Sequence, residues 1–303
     1  MYVSLAHMNK HVETEIPKVF FKKNESLDIE VVKFSQLTEK LTQSKYHNPY
    51  AAHRIEFFLI LILTRNKYTH FVDFKSFTLT EGSALFVAKN QVHHFTPELT
   101  EAEGICMIFS GSFMEKYYFL ADSFKLNRLF NYHIESPTIH QEEMGEDSFL
   151  DIAHRLHDEY LLPNHFAKSE MLRAWLHILF LKAERAKETQ DISGVKTHWL
   201  EIFSTFKNRL EKEYVNTRNS RTYASEIFVS YKFLNDIVKK LTGKTVKAFI
   251  DDFVTMEIKR YLLSTSLSIK EICYKAGFDE PANMIKFFKK NTNTTPLKFR
   301  EQI

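Results

Sequence analysis

The sequence predicts a mixed α+β protein with an amino-terminal antiparallel β-barrel, a helical linker and a carboxy-terminal all-helical domain. Three observations predict it. The chain has 303 residues, about twice the ~150 residues of a common domain. Short apolar runs broken by turn residues fill residues 53–110, as in antiparallel sheets. Beyond Gly111 the apolar residues instead recur at helical spacing.

The composition is that of a folded protein. Hydrophobic residues make up 44% of the chain and charged residues 26%, and 28 Phe stand against 7 Gly and 7 Pro, which excludes a disordered linker. The two cysteines, Cys106 and Cys273, lie far apart in the sequence. This excludes a disulfide framework or a cysteine zinc site and fits a reducing compartment.

No segment predicts export or membrane insertion. The first residues, MYVSLAHMNK, lack the basic start and apolar middle of a signal peptide. The longest apolar run, residues 57–63, is far shorter than the ~20 residues that a membrane helix needs. We therefore expect a cytoplasmic protein with no membrane partner.

Four apolar runs predict the strands of the amino-terminal domain. They read EFFLILIL, HFVDFKSFTL, SALFVA and ICMIF, with the turn residues 80–82 between the second and the third. Their spacing favours an antiparallel sandwich or barrel.

Two helical stretches follow. Phe149, Ile152, Leu156 and Tyr160 mark the first, and the second opens near Ser169. The second is apolar over a wide arc, so it is buried either in a core or against another subunit. We expect the interdomain joint at residues 182–194 and domains at 1–145, 146–195 and 196–303, the middle one a linker and dimerisation segment.

Charge divides the chain unequally. The net charge is +3, but residues 196–303 hold 20 Lys and Arg against 12 Asp and Glu, so they carry +8 and the remainder carries −5. An acidic front and a basic back indicate different partners, and a polyanion suits the back.

The carboxy-terminal domain contains two pairs of short helices. In the second pair Gly277 allows a tight turn, Asp279 is placed to cap the next helix and Pro281 lies in its first turn. The outward residues of that helix include Ala282, Asn283, Lys286 and Lys290. In the first pair Ser230 caps a helix with a core face of Leu234, Ile237, Val238 and Leu241. Its outer face offers the donors, acceptor and aromatic ring that suit reading base edges in a major groove, namely Tyr231, Lys232, Asn235, Asp236 and Lys239.

A long helix is predicted between the two pairs. Residues 245–264 keep helical spacing and would form a rod of roughly 30 Å. Major grooves on one face of B-DNA recur at about 34 Å, so such a rod could hold two reading helices one turn apart.

These residues also resemble a family. The run SIKEICYKAGFDEP at 268–281, then FFKK at 287–290 and TTPLKFR at 294–300, is similar to the carboxy-terminal signature of AraC/XylS transcriptional regulators. The resemblance implies a double helix-turn-helix domain that binds double-stranded DNA and contacts RNA polymerase. Members usually have arginine where this chain has Lys286, and a lysine cannot make the two-pronged contact of arginine to guanine. We therefore expect the first reading helix to read the sequence, with Asn235 pairing with adenine and Asp236 with cytosine.

The front domain resembles a cupin. Residues 82–93 are similar to the second cupin motif, with Ala88 and Asn90 where Pro and Gly are usual, and HRIEFF at 53–58 is similar to the entry strand of effector-binding cupins in AraC-type regulators. His53, Glu56 and His93 are the candidate effector-binding residues. The histidines are open to three interpretations: core or surface residues, contacts to a small effector, or metal ligands. No His-x-His pair precedes Gly82, so we expect no metal and no cofactor.

The sequence thus predicts a DNA-binding transcriptional regulator that is not an enzyme. We expect a homodimer that responds to an unidentified small-molecule effector through its barrel. Two alternatives remain: a metal-dependent cupin enzyme whose helical tail serves assembly, and a constitutive DNA-binding regulator with no effector.

Overall fold

The computed structural model of the chain describes residues 15–20, 27–42, 48–115, 128–133, 136–188 and 197–302. Within these, residues 18–188 form one compact unit, the front unit. Residues 15–17 and 197–302 form a second compact unit, the back unit. The architecture is mixed α+β as predicted, with the sheets in the front unit and an all-helical back unit.

The front unit contains two five-stranded sheets. Its strands are β1 Lys18–Val19, β2 Ile29–Lys33, β3 His53–Ile55, β4 Phe58–Arg65, β5 Tyr68–Val72, β6 Lys75–Leu79, β7 Ala84–Val87, β8 Val92–His94, β9 Glu103–Phe109 and β10 Thr138–Ile139. The strand orders are β1-β3-β8-β5-β6 and β10-β7-β4-β9-β2. Neighbouring strands are antiparallel except β1 and β3, which pair in parallel. The helices of this unit are α1 Phe34–Thr42, α2 Gly111–Glu115, α3 Gln141–Met144, α4 Leu150–Leu161 and α5 Lys168–Glu188.

Strand β4 is buried on both faces, which explains why its sequence does not alternate between apolar and polar residues. Leu59, Leu61 and Leu63 contribute to a core that residues of both sheets share. Ile60 and Ile62 point into a second core, where α4 and α5 cover the other face of the sheet.

Helix α5 has two apolar sides. Leu172, Leu176 and Leu179 are fully buried in the second core. The opposite side leaves an exposed stripe of Met171, Ala174, Ile178 and Leu181. The sequence predicted that this helix is buried either in a core or against another subunit. The second core buries the side that carries Leu172, and it leaves the stripe that carries Met171 exposed.

Three details of the front unit differ from the sequence predictions. The run HFVDFKSFTL is not one strand, because Asp73 and Phe74 take positive φ of 51° and 81° and turn the chain between β5 and β6. Helix α5 continues to Glu188, so the first part of the predicted joint is helical. The rest of that joint, at 189–194, lies outside the described residues. Helix α1 and the short strands β1, β2, β8 and β10 had no prediction, whereas β3 lies in the segment 53–58 whose resemblance implied a strand.

The back unit is built from helices that enclose an aromatic core. They are α6 Thr197–Glu213, α7 Ser220–Glu226, α8 Tyr231–Thr242, α9 Val246–Ser264, α10 Ile269–Lys275, α11 Pro281–Thr292 and α12 Pro296–Glu301. Phe206 on α6 lies against the rings of Tyr223 on α7 and Phe249 on α9, at 5.7 Å between ring centroids in both cases. The described helices include none with the length and apolarity that crossing a membrane requires.

Candidate nucleic-acid interface

The first helix pair of the back unit is α7 and α8, joined by a four-residue turn. Asn219 caps α7, since its side chain accepts a hydrogen bond from the backbone N–H of Arg221 at 3.0 Å. Ser230 caps α8 as predicted, and its hydroxyl accepts from the N–H of Phe233 at 3.2 Å. Helix α8 ends at Gly243, which takes the left-handed conformation at φ 71°.

Helix α8 presents its polar residues to solvent. Leu234, Ile237 and Val238 are fully buried beneath it. On the other side four of the predicted reading residues are exposed together, namely Tyr231, Lys232, Asp236 and Lys239. Their common face follows from helical spacing, because positions one and two turns apart lie above one another.

Asn235 has a structural contact that the sequence did not predict. It is half-buried, and its side-chain oxygen accepts from the backbone N–H of Val246, the first residue of α9, at 3.2 Å. Reading adenine in bidentate fashion requires that same oxygen. This hydrogen bond therefore holds the Asn235 side chain in place and joins α8 to α9.

The second helix pair is α10 and α11. Ser268 and Glu271 form a capping box at the start of α10. Gly277 makes the turn at φ 73°, as predicted. The cap of α11 is Glu280 and not Asp279, and its side chain makes no capping hydrogen bond. Pro281 begins the helix, and a proline needs no partner for an N–H that it lacks.

Helix α11 has the same organisation as α8. Met284 and Phe288 are buried beneath it. The four residues predicted to face outward are all exposed, namely Ala282, Asn283, Lys286 and Lys290. The helix ends at Asn293, which takes the left-handed conformation at φ 59°, and asparagine adopts that conformation more readily than most residues.

Helix α9 connects the two pairs. Its 19 residues give an axial length of about 28 Å. It contacts α8, α11 and α12. Its first residue, Val246, donates to Asn235 of α8, and the carbonyl of Leu262 near its other end accepts from Arg300 of α12. Within α9 the fully buried Arg260 pairs with the buried Glu257 one turn earlier. Breaking a buried ion pair leaves an uncompensated charge, so this pair fixes the packing around the rod.

Arg218 joins the two pairs at a second place. Its guanidinium donates hydrogen bonds to the carbonyl oxygens of Ala276 and Gly277, at 2.8 and 2.5 Å. The same group lies 3.5 Å from the centroid of the Phe278 ring. Burial lowers the pKa of Arg218 from its ordinary value. The residue just before the first helix pair therefore holds the turn of the second, and no local pattern in the sequence indicated this.

We call the exposed polar sides of α8 and α11 the two reading faces. Their lysines differ from other lysines of the back unit in their ion pairing. On α9, Lys247 pairs with Asp251, and Lys244 beside it pairs with Asp252. Among the described residues, those on the reading faces form no ion pair, namely Lys232, Lys239, Lys286 and Lys290. Their charge is available to an external anion, and phosphate oxygens are the anions that a nucleic acid presents.

The comparisons with known proteins agree with this geometry. A family model described as a helix-turn-helix domain matches residues 223–302, which begin within α7 and include the rest of both helix pairs and the rod. The carboxy-terminal domain is a helix-turn-helix domain of the AraC type.

Relatives of the chain are themselves transcription regulators. An uncharacterised HTH-type transcriptional regulator of Pseudoalteromonas carrageenovora is 33% identical over 91 residues, which are 30% of this chain and 54% of that protein, so the chain spans about half of its length. The transcriptional activator RhaS of Pectobacterium carotovorum is 22% identical over 82% of this chain and 87% of its own length. ToxT of Vibrio cholerae is a solved structure with 11% identity and a TM-score of 0.43, covering 92% of this chain and 98% of its own.

The front unit brings together two of the three candidate effector residues. His53 on β3 and His93 on β8 are register partners, both buried, with ring centroids 4.4 Å apart. His93 Nδ1 is hydrogen-bonded to Nε2 of the fully buried His70 at 2.9 Å. Glu56 faces elsewhere and pairs with Lys89 at 3.2 Å.

A buried hydrogen-bonded chain continues from these histidines. His70 Nδ1 lies 2.9 Å from the hydroxyl of Tyr68. Burial lowers the pKa of His70 to about 3 and raises the pKa of Tyr68. The described residues include no group of three or more His, Cys, Asp or Glu arranged to hold a metal ion.

Proposed function

We propose that the protein is a sequence-specific DNA-binding transcriptional regulator, in which residues 196–303 bind double-stranded DNA. One observation carries the proposal: two exposed helices with unpaired lysines are mounted on a single rod of about 28 Å. That length is close to the ~34 Å between successive major grooves on one face of B-DNA. The AraC type of the domain supports the same conclusion.

We assign different roles to the two reading helices. On α8, Tyr231, Lys232, Asp236 and Lys239 discriminate base edges, and Asp236 accepts from the amino group of cytosine. Asn235 acts as a positioning residue through its contact with α9. On α11, Lys286 and Lys290 neutralise phosphates, and Ala282 and Asn283 allow close approach to the groove.

Selection from a random-sequence library tests the function. The full chain is incubated with random duplexes at about 100 mM salt, and bound molecules are amplified and sequenced over several rounds. We expect enrichment of a motif with two elements about one helical turn apart, bound more tightly than unselected duplex by a factor of about 10³ or more. Failure to enrich any sequence, with no salt-sensitive binding, would refute the proposal.

Replacing Lys286 by alanine tests the phosphate role. We expect weaker binding to every duplex, and the slope of log affinity against log salt should become shallower by about one, because one fewer counterion is released. Fluorescence anisotropy between 50 and 200 mM salt, the range in which such slopes are measured, gives the result. The matched control is Lys247→Ala, which removes a lysine already paired with Asp251. A change confined to one base position would contradict the assignment.

We also propose that two copies of the chain associate through the exposed stripe on α5. Met171, Ala174, Ile178 and Leu181 follow each other by three, four and three residues, which is the spacing of a coiled-coil seam. Water contact with such a stripe is unfavourable, and a second copy supplies an identical stripe to cover it. The proposed seam lies within residues 146–195, the segment that the sequence predicts for dimerisation.

A charge in the stripe should separate the dimer. We expect Leu181→Glu to weaken self-association by about tenfold or more, because two carboxylates would be buried in an apolar seam. Sedimentation at micromolar concentration measures the change. Leu297→Glu puts the same charge on an exposed leucine of the back unit and should leave association intact. If both variants sediment like the wild type, the seam lies elsewhere.

We further propose that the predicted amino-terminal domain, residues 1–145, responds to a small molecule and that the regulator contacts RNA polymerase. The buried cluster of His53, His70 and His93 supports the first part, since polar groups inside an apolar sandwich could hydrogen-bond a ligand. The rival metal-dependent enzyme predicts stoichiometric metal with turnover. Elemental analysis of purified protein distinguishes the two.

A further inference from the structure

The two helix-turn-helix motifs have equivalent turns with different residues at the critical position. In the first turn Phe228 takes φ 58°, and in the second Gly277 takes φ 73°. The hydrogen bonds correspond: the N–H groups of Val229 and Phe278 each donate to a carbonyl five residues earlier, both at 3.0 Å. Phe228 therefore occupies the position that glycine holds in the other motif.

Phenylalanine is unfavourable at this position. A left-handed conformation brings the β-carbon close to the following carbonyl, and for a bulky residue it is rare. The side chain gains nothing from burial, because it is 95% exposed. Gly277, in contrast, is required sterically, since a β-carbon there would lie 2.0 Å from the carbonyl oxygen of Val215. The fold of the back unit gives no reason for an exposed aromatic ring in the first turn.

The position of Phe228 gives such a reason. It lies three residues before Tyr231, where α8 begins, and the capped start of the helix fixes the turn. The first residues of a reading helix are those that reach base edges. The exposed residues within four positions of Phe228 are Ser225, Glu226, Ser230, Tyr231 and Lys232, and the last two lie on the reading face.

We propose that Phe228 makes an apolar contact with the methyl group of a thymine in the duplex that α8 reads. The thymine methyl is the apolar group that the major groove presents, and phenylalanine is among the side chains that contact it. Lys232, four residues farther along the chain, favours a polyanionic partner. The nearer Glu226 pairs with Arg209, which compensates its charge. The inference rests on the proposed function, and it adds a specificity-determining residue outside the reading helix.

Two variants separate the contact from the backbone conformation. Phe228→Asn removes the apolar ring and adopts the left-handed conformation more readily. Phe228→Leu keeps an apolar side chain and keeps the strained left-handed backbone conformation at this position. The probe is a duplex that the wild-type full chain enriches from a random library, with each thymine replaced in turn by deoxyuridine, which lacks only the methyl group.

We expect the asparagine variant to melt at a higher temperature yet bind the selected duplex about tenfold more weakly, with unselected duplex unaffected. The leucine variant should stay close to the wild type in both measurements. At one position, deoxyuridine should weaken wild-type binding by about fourfold, the value of one buried methyl group. At that position it should not weaken the asparagine variant further, as in a double-mutant cycle.

The failures are distinguishable. The asparagine variant could bind the selected duplex as tightly as the wild type, or it could lose the same factor of affinity on selected and unselected duplex. In either case Phe228 does not read thymine, although the protein still binds DNA. If the wild type enriches no duplex, the proposed function fails and this inference fails with it.

Discussion

Replacing Gly277 by alanine should cost the back unit about 4 kcal/mol or more of unfolding free energy, an exceptional loss for one methyl group. Two effects combine. The residue has φ 73°, where any β-carbon is strained. The new β-carbon would also lie 2.0 Å from the carbonyl oxygen of Val215, and backbone cannot rotate away as a side chain can. The segment that carries Arg218 would have to shift, and its hydrogen bonds to the turn would break.

The chain provides a matched control and a separate reporter. Gly243→Ala introduces the same strain at φ 71°, but nothing lies within 4 Å of the added atom, so it should cost only about 1–2 kcal/mol. Trp199 is the back unit's tryptophan and Trp175 the front unit's. Denaturant unfolding followed by Trp199 fluorescence, in a Trp175→Phe background, measures both. Equal losses of unfolding free energy in the two alanine variants would show that the closeness of the Val215 carbonyl oxygen to residue 277 does not contribute.

Lowering the pH from 7 to 5 should destabilise the front unit by about 2 kcal/mol through His70 alone. The pKa of this histidine is about 3 in the folded protein because it is buried, against ~6.5 in the unfolded chain. Below pH ~6.5 the unfolded state binds a proton at His70 that the folded state does not bind. The contribution of His70 to the free energy of unfolding is therefore fully present above pH ~6.5. It is lost as the pH falls toward the pKa of about 3 that His70 has in the folded protein.

The variant His70→Gln isolates this effect. Glutamine can hydrogen-bond to its neighbours but does not titrate, so the variant should be less stable at pH 8 and should lose less stability on acidification. Unfolding followed by Trp175 fluorescence, in a Trp199→Phe background, gives both curves. The difference between wild type and variant should shrink by about 2 kcal/mol between pH 7 and 5. Parallel curves would mean that His70 titrates normally in the folded protein.

Features encoded within a few residues were predictable from the sequence. The buried side of α8, its Ser230 cap and the tight turn at Gly277 agree with prediction. Each depends on residues at most four positions apart, so helical spacing and capping chemistry suffice to find it. The resemblance of the carboxy-terminal domain and the mixed α+β fold are likewise confirmed.

Features that depend on distant residues, or on unusual residues at turns, were not predictable. Asp73 and Phe74 turn the chain with neither glycine nor proline, so two strands looked like one. The parallel pairing of β1 with β3 joins segments more than thirty residues apart.

The candidate interface shows the same division. Helical spacing placed Tyr231, Lys232, Asp236 and Lys239 on one exposed side of α8. It could not reveal that Asn235 contacts α9, or that Arg218 reaches the turn of the second motif, because each contact joins separate elements. Whether these side chains read DNA remains a prediction.

Hydroxyl-radical footprinting tests the central claim most directly. The full chain is bound to a selected duplex, and protection of the backbone is mapped at single-nucleotide resolution. If the rod holds two reading helices one turn apart, two protected patches should appear on one face of the duplex, with centres about 10–10.5 base pairs apart. One patch alone, or two patches on opposite faces, would contradict the account.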